Sequence, residues 1–380
     1  MKNCIRAAKA ITLQEGTGLV EDFACIHNGT EILETGTWSS IKKSFSGDVT
    51  DLGDVILVPA LINAHVHLEL SHLEGKTLQG QGFMPWIISL LSNATYAIDE
   101  TAIRNAVSSM LKTGTAFCAD ISTQNCSKVA ELLHEAGIGF YAFCEAIGPQ
   151  IPKEGASFFP DKTYPLGRLS GAGHAPYSTH ADMLRAIKKA DSAANRPYSI
   201  HLAENEEEDE IVAKGTGAFA QMLSGAGLLA DCGKKGFSPV EYALSLGILD
   251  DSTLAIHCVR VSDNDINILA ETKTNVCLCP RSNEFIGEGR APWEKIISSG
   301  INTCLGTDSI ASNHDLNMWN ELEYLLKNIK IPLTTQQALS LVTKNGAKAL
   351  MVENLYGSIE VGKRPVFATV PSHLEDLLFL

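Results

Sequence analysis

The chain has no long apolar run, no surplus of positive charge, no internal repeat and no low-complexity linker. No uninterrupted apolar segment approaches the ~20 residues of a membrane-spanning helix, so no membrane partner is expected. The start, Met1-Lys2-Asn3-Cys4-Ile5-Arg6, lacks the apolar core of a signal peptide, and the expected compartment is the cytoplasm. A net charge of −14 leaves no Lys/Arg excess for a phosphate backbone or an anionic membrane surface, so nucleic acid is not an expected partner. A small anionic substrate in a local basic pocket remains open. With 45% hydrophobic and 19% charged residues, the chain is too apolar for global disorder. Its ten cysteines are scattered, several of them in apolar runs (Cys118, Cys144, Cys304), and we read them as buried thiols rather than disulfides. Cys277-Leu278-Cys279 is one residue too tight for a zinc knuckle.

What the chain does have is room for a barrel-sized domain and a smaller one in its 380 residues. Residues 1–54 carry short strand-like runs, 10–13, 23–26 and 31–33, separated by glycine and polar residues. From 55 onward, apolar strand-like runs alternate with helix-like stretches. Strands are expected over 55–64, 115–121, 138–145, 168–174, 197–202, 253–258, 274–279 and 302–307. Helices are expected over 100–113, 126–136, 181–194, 238–246, 263–271, 292–299 and 316–328, with two more over 334–343 and 345–352. This alternation fits an α/β fold, a (β/α)8 TIM barrel. The tail, 357–370, reads as strand again. The acidic run Glu206-Glu207-Glu208-Asp209-Glu210 suits the solvated first turn of a helix, where negative charge is favoured.

Enzymes on such a barrel carry their reactive groups at the C-terminal ends of strands. The first strand ends in His65-Val66-His67, and in a strand residues two apart share a side. The fifth ends in His201, with Glu204 three residues on; the sixth ends in His257 and the eighth in Asp308. Three neutral imidazoles (His65, His67, His201) and the Asp308 carboxylate suit Zn²⁺ and tolerate Fe²⁺. The fourth strand, Arg168 to His174, holds no lysine that could bridge a second ion once carboxylated, so one divalent metal is expected.

These residues resemble the amidohydrolase superfamily, in its nucleoside deaminase and chlorohydrolase branch. The resemblance rests on Asn63-Ala64-His65-Val66-His67-Leu68-Glu69-Leu70-Ser71, His174-Ala175-Pro176-Tyr177-Ser178 and His201-Leu202-Ala203-Glu204. It continues through Ile256-His257-Cys258, Cys279-Pro280-Arg281-Ser282-Asn283 and Gly306-Thr307-Asp308-Ser309-Ile310-Ala311-Ser312-Asn313. The motifs run in order along nearly the whole chain. The resemblance implies a metal-capped barrel (55–354) and a small β-sandwich formed by both chain ends (1–54 and 355–380). It implies that Glu204 is the proton shuttle, that His257 polarises the attacking water or the developing oxyanion, and that Asp308 both ligates and takes a proton. A homo-oligomer is a family-level expectation.

On the substrate side, Glu69 either faces the ligand or stands on the rim, and Trp86 either stacks on a base or packs in a helix. His174 is a candidate polar contact to substrate. Arg281, Ser282 and Asn283 follow the seventh strand, and Ser309 follows the eighth. Arg281 either pairs with a substrate carboxylate or forms a salt bridge to Glu284 or Glu288. The run from His65 to Leu73 combined with Cys-Pro-Arg-Ser-Asn is most similar to the aminodeoxyfutalosine deaminases of menaquinone biosynthesis. Their substrate is an adenosine bearing a benzoate-like carboxylate. Deaminases of S-adenosylhomocysteine, methylthioadenosine or adenosine are the alternative. Guanine, cytosine, pterin or chloro-triazine hydrolases, and a non-catalytic scaffold that keeps the barrel, are further ones. Leu278 stands where relatives often place a histidine, and the tail reads Gly-Lys-Arg-Pro-Val-Phe in place of Gly-Lys-x-Ala-Asp.

Overall fold

The computed structural model describes residues 2–94, 97–151, 153, 157–160, 162–232 and 236–379. Met1 and Leu380, the outer limits of the expected β-unit, lie outside them. The strands in chain order are β1 Asn3–Ile11, β2 Leu19–His27, β3 Ile32–Thr37, β4 Asp48–Asp51, β5 Ile56–Pro59, β6 Leu61–Val66, β7 Thr115–Ser122 and β8 Gly139–Ala146. They continue with β9 Thr163–Tyr164, β10 Gly167–Gly173, β11 Tyr198–Leu202, β12 Thr253–His257, β13 Asn275–Leu278, β14 Thr303–Leu305 and β15 Phe367–Thr369.

Two sheets divide the work. One runs β15-β5-β1-β2-β3, with β4 also paired to β1, and so joins both chain ends in one unit. The other is parallel along β14-β13-β12-β11-β10-β8-β7-β6 and curls into a TIM barrel, with β9 paired antiparallel to β10. Its strands are almost wholly buried, β6, β11, β12, β13 and β14 at every residue. This is why they read as continuous apolar runs rather than as alternation. The seam between β14 and β6 is joined by polar groups. Asp308 N donates to His65 O at 3.0 Å, Thr307 N donates to Asn63 Oδ1 at 3.1 Å, and Asn63 Nδ2 donates to Thr307 Oγ1 at 2.7 Å. Gly306 permits this approach, because a Cβ there would lie 2.8 Å from His65 Cβ and 2.9 Å from His65 N.

All eight expected barrel strands form, with one difference. The single strand expected over 55–64 is two strands, β5 in the terminal sheet and β6 in the barrel, with Ala60 between them. An apolar run buried in both units carries no mark of the change of sheet. The tail forms strand only at β15 and then a helix, Ser372–Leu378. Several helices were not expected: Phe83–Asn93, Ala218–Gly225, Pro280–Ile286 and the 3-10 turn Leu68–Leu73.

Two further expectations are corrected. Cys126 and Cys144 form a disulfide between the helix Cys126–Ala136 and β8, whose packing brings their Cα atoms to 5.3 Å; the eight other cysteines are free and buried. The acidic run does open a helix, Glu206–Lys214, but Glu208 is not solvated. It is fully buried, and its Oε2 accepts from Glu204 N at 2.8 Å, so it braces the turn that presents Glu204. Among the described residues no helix is long and apolar enough to cross a membrane.

Candidate active site

At the C-terminal mouth of the barrel the strand-end histidines converge. His67 Nε2 lies 3.2 Å from His201 Nε2, and Asp308 Oδ1 lies 3.6 Å from His65 Nε2 and 3.5 Å from His67 Nε2. One ligand atom from each of His65, His67 and His201 fits within 4.8 Å of the others. His201 Nδ1 is 3.0 Å from the carbonyl of His174, so Nδ1 carries the proton and Nε2 presents its lone pair inward. His65 is completely buried, and neither of its ring nitrogens makes a hydrogen bond. An orphaned buried imidazole facing a second imidazole and a carboxylate is costly unless a cation lies between them. The donor set therefore fits a divalent ion, with nitrogen and oxygen ligands that suit zinc.

Electrostatics agree with ligation. Burial lowers His65, His67 and His201, His67 to about 3, so all three are neutral near pH 7. Burial alone would raise Asp308, but its contacts with His65 and His67 win and hold it well below the usual carboxylate range. Its other oxygen, Oδ2, accepts from Ser282 Oγ at 2.6 Å and Ser312 Oγ at 2.7 Å, which leaves Oδ1 for the histidines.

Backbone strain aims these groups. Ala203, His257 and Asp308 all adopt positive φ, at 52°, 73° and 56°, which is uncommon for residues with a side chain. The left-handed turn at each strand end swings the following or resident side chain across the mouth. Glu204 and His257 meet there, with Oε1 of the one 3.5 Å from Nε2 of the other. Burial, aided by the nearby charge of Asp308, pushes Glu204 well above the ordinary carboxylate range. A buried carboxyl facing the mouth is placed to exchange a proton with a bound ligand. His257 Nδ1 pairs with Asn283 Oδ1 at 2.9 Å.

Above these groups lies a cavity of about 450 Å³. His67, Glu69, Trp86, His174, His201, Glu204, His257, Asp308 and Ser309 all stand on its wall. Glu69 reaches it from the 3-10 turn rather than from an extended strand, and its carboxylate is pinned by Thr123 N, Gln124 N and Asn125 Nδ2 at 2.6–3.1 Å. His174 Nδ1 pairs with Ser178 Oγ at 2.5 Å, which leaves Nε2 toward the cavity. Trp86 is packed in the helix Phe83–Asn93 and lines the cavity, and its Nε1 donates to Ala311 O at 2.9 Å. Ser309 Oγ lies 3.1 Å from Ser312 Oγ.

Two expected substrate contacts are placed elsewhere. Arg281 points away from the cavity into a bidentate pair with Asp315, at 2.8 and 2.9 Å, and lies 3.6 Å from Glu321; neither Glu284 nor Glu288 is its partner. Asn283 sits behind His257 instead of on the wall. One carboxylate on the wall was not foreseen: Glu145, at the end of β8, whose Oε2 accepts from Thr123 Oγ1 at 2.8 Å. A carboxylate closing an otherwise apolar strand was the available signal. The far chamber is apolar, built by Phe83, Ile87, Leu90, Phe219, Met222 and Leu228, from the unforeseen helices and the loops beside them. No Lys or Arg is among the described lining residues.

Comparison with known proteins places these features in context. A model of the amidohydrolase family matches residues 56–378. A 5-methylthioadenosine/S-adenosylhomocysteine deaminase of Thermoanaerobacter pseudethanolicus is 28% identical, over 96% of this chain and 84% of that protein. A 5'-deoxyadenosine deaminase of Methanosphaera stadtmanae is 26% identical, over 86% and 76% of the two chains. Among solved structures, Helicobacter pylori aminofutalosine deaminase in complex with methylthio-coformycin superposes with a TM-score of 0.84 at 25% identity, covering 97% of this chain and 91% of that one.

Proposed function

The chain belongs to the amidohydrolase family, and on that footing we propose that it hydrolytically deaminates a 6-aminopurine nucleoside. The observation that carries this is the buried Glu204 carboxyl, 3.5 Å from His257, beside a three-histidine, one-carboxylate cluster. Relatives named as deaminases of adenosine-type nucleosides support it.

His65, His67, His201 and Asp308 would hold a divalent ion, whose Lewis acidity would make a water nucleophilic near neutral pH. Glu204 gives its proton to N1 of the purine as the water oxygen adds to C6, so the ring takes the electron pair without building negative charge. His257 stands beside Glu204 and stabilises charge developing on the new oxygen. Asp308 accepts the proton of the attacking water and passes it to the 6-amino group. The C6–N bond then breaks, ammonia leaves, the proton remaining on the new oxygen returns to Glu204, and the product is a 6-oxopurine nucleoside.

The far chamber refines the substrate. Apolar side chains without a described cation favour a neutral, apolar 5'-substituent such as methylthio, since a buried carboxylate without a partner is costly. A second reading is 6-amino-6-deoxyfutalosine, favoured by the likeness to the H. pylori enzyme, although Arg281 does not face the cavity to meet its carboxylate. Initial rates of ammonia release by zinc-loaded enzyme on adenosine, 5'-methylthioadenosine, S-adenosylhomocysteine and aminodeoxyfutalosine decide. Highest kcat/KM on methylthioadenosine is expected; a preference for the benzoate-bearing nucleoside reverses the refinement, and no turnover of any of them sinks the deaminase reading.

A further inference from the structure

One carboxylate in the cavity has no part in the deamination chemistry. Glu145 closes β8, and its side chain is only 3% exposed. Oε2 accepts from Thr123 Oγ1; Oε1 is buried and makes no hydrogen bond, its nearest charged-group contact being His201 Nδ1 at 3.7 Å, and the residue stands on the cavity wall. Buried acceptors in folded proteins are nearly always paired, so an open one on a cavity wall marks a missing donor.

A metal is a poor candidate for that donor. Glu145, His174 and His201 lie close enough together to hold an ion. However, His201 spends its Nδ1 proton on the His174 carbonyl, and His174 commits its Nδ1 to Ser178. One carboxylate and one imidazole nitrogen remain, too few for a second site. Thr123 ties this wall together. Its N–H donates to Glu69 and its hydroxyl to Glu145, which sets two carboxylates side by side as acceptors. What fits is a neutral hydroxyl. In a 6-aminopurine nucleoside the ring nitrogens are acceptors and the 6-amino group belongs to the reacting end, so the remaining donors are the sugar hydroxyls.

We propose that Glu145 is a specificity-determining residue that accepts a hydrogen bond from a sugar hydroxyl of the substrate. This rests on the nucleoside deaminase reading above. Removing a hydroxyl from the substrate, or the carboxylate from the enzyme, should then cost the same interaction.

The test compares adenosine, 2'-deoxyadenosine and 3'-deoxyadenosine on zinc-loaded wild type, Glu145→Ala and Glu145→Gln. Wild type should favour adenosine over at least one deoxy analogue by about tenfold or more in kcat/KM. In Glu145→Ala that ratio should collapse to within about threefold of unity, carried by KM on adenosine, with bound zinc unchanged. A purely structural role at His201 would instead lower zinc content and depress all three substrates equally. Should the alanine variant not fold, the amide of Glu145→Gln, a weaker acceptor, should still cut the ratio at least threefold. Equal treatment of the three substrates by wild type, or an unchanged ratio in the variant that folds, overturns the assignment of Glu145 alone. Absence of turnover on any 6-aminopurine nucleoside removes both it and the deaminase reading.

Discussion

Ser282 Oγ donates a 2.6 Å hydrogen bond to Asp308 Oδ2, the oxygen turned away from the histidines. With Ser312 Oγ on the same oxygen at 2.7 Å, it fixes the rotation of a carboxylate that, in the proposed mechanism, both faces the histidines and moves a proton. Glu204, His257 and Asp308 are thus each braced from behind, by Glu208, Asn283 and the serine pair.

Ser282→Ala and Ser312→Ala should each lower zinc affinity or kcat by about 10–100-fold, the usual cost of removing a partner of a metal ligand. The double variant should lose less than the product of the two, since both donors serve one oxygen. Zinc titration with steady-state kinetics checks this; strictly multiplicative losses would show the two serines act independently.

Glu204→Gln keeps the shape of the side chain but cannot cycle a proton. We expect zinc content and fold to match wild type while kcat falls by roughly 10²–10⁴-fold, the range for a lost general acid–base. A variant retaining more than about a tenth of wild-type kcat would be incompatible with the proton role.

The eight barrel strands and most of the outer helices were legible because burial leaves plain marks: continuous apolar runs for the strands and a 3.6-residue period for the helices. Phe83–Asn93 does carry the period, with Phe83, Trp86, Ile87 and Leu90 on the cavity wall, but apolar Met84 and Pro85 and exposed Ile88 between them blur it. The convergence of His65, His67 and His201 was legible because each stands at or beside a strand end. The substrate wall was not. Arg281, Ser282 and Asn283 lie on one short helix, where successive residues point about 100° apart. Sequence does not say which of them faces the mouth; in the structure Ser282 and Asn283 serve Asp308 and His257, and Arg281 turns to Asp315.

Asp191 offers a pH test away from the metal. It is buried at 0% exposure, its Oδ1 accepts from Ser170 Oγ and Gly171 N, and Oδ2 has no partner. Burial raises its pKa from 3.8 to about 7. A raised folded-state pKa means that the stability from this group is fully present below about 3.8 and is lost as pH rises through about 7. Asp191→Asn removes the titration but keeps the acceptor. Urea unfolding should therefore show the variant gaining on wild type between pH 4 and pH 8, by on the order of 2 kcal/mol. A constant difference across that range would mean Asp191 stays ionised in the fold.

Arg281 separates a structural cation from a substrate-binding one. Its guanidinium holds Asp315 bidentately and lies beside Glu321, which is fully buried and also accepts from Arg281 N and Asn313 Nδ2. These contacts tie the helix Pro280–Ile286 to the segment after β14 that carries Asp308. Arg281→Ala strands Glu321 without its cation, and breaking such a pair typically costs about 3–5 kcal/mol. The expected result is a lower melting temperature and a kcat reduced alike for every nucleoside, because Asp308 loses support from below. The ratio of kcat/KM between methylthioadenosine and a carboxylate-bearing nucleoside should stay within about threefold of wild type, far less than the loss of a charge-assisted contact to substrate would produce. A selective collapse on the carboxylate-bearing nucleoside would instead mean that the guanidinium leaves Asp315 to meet substrate.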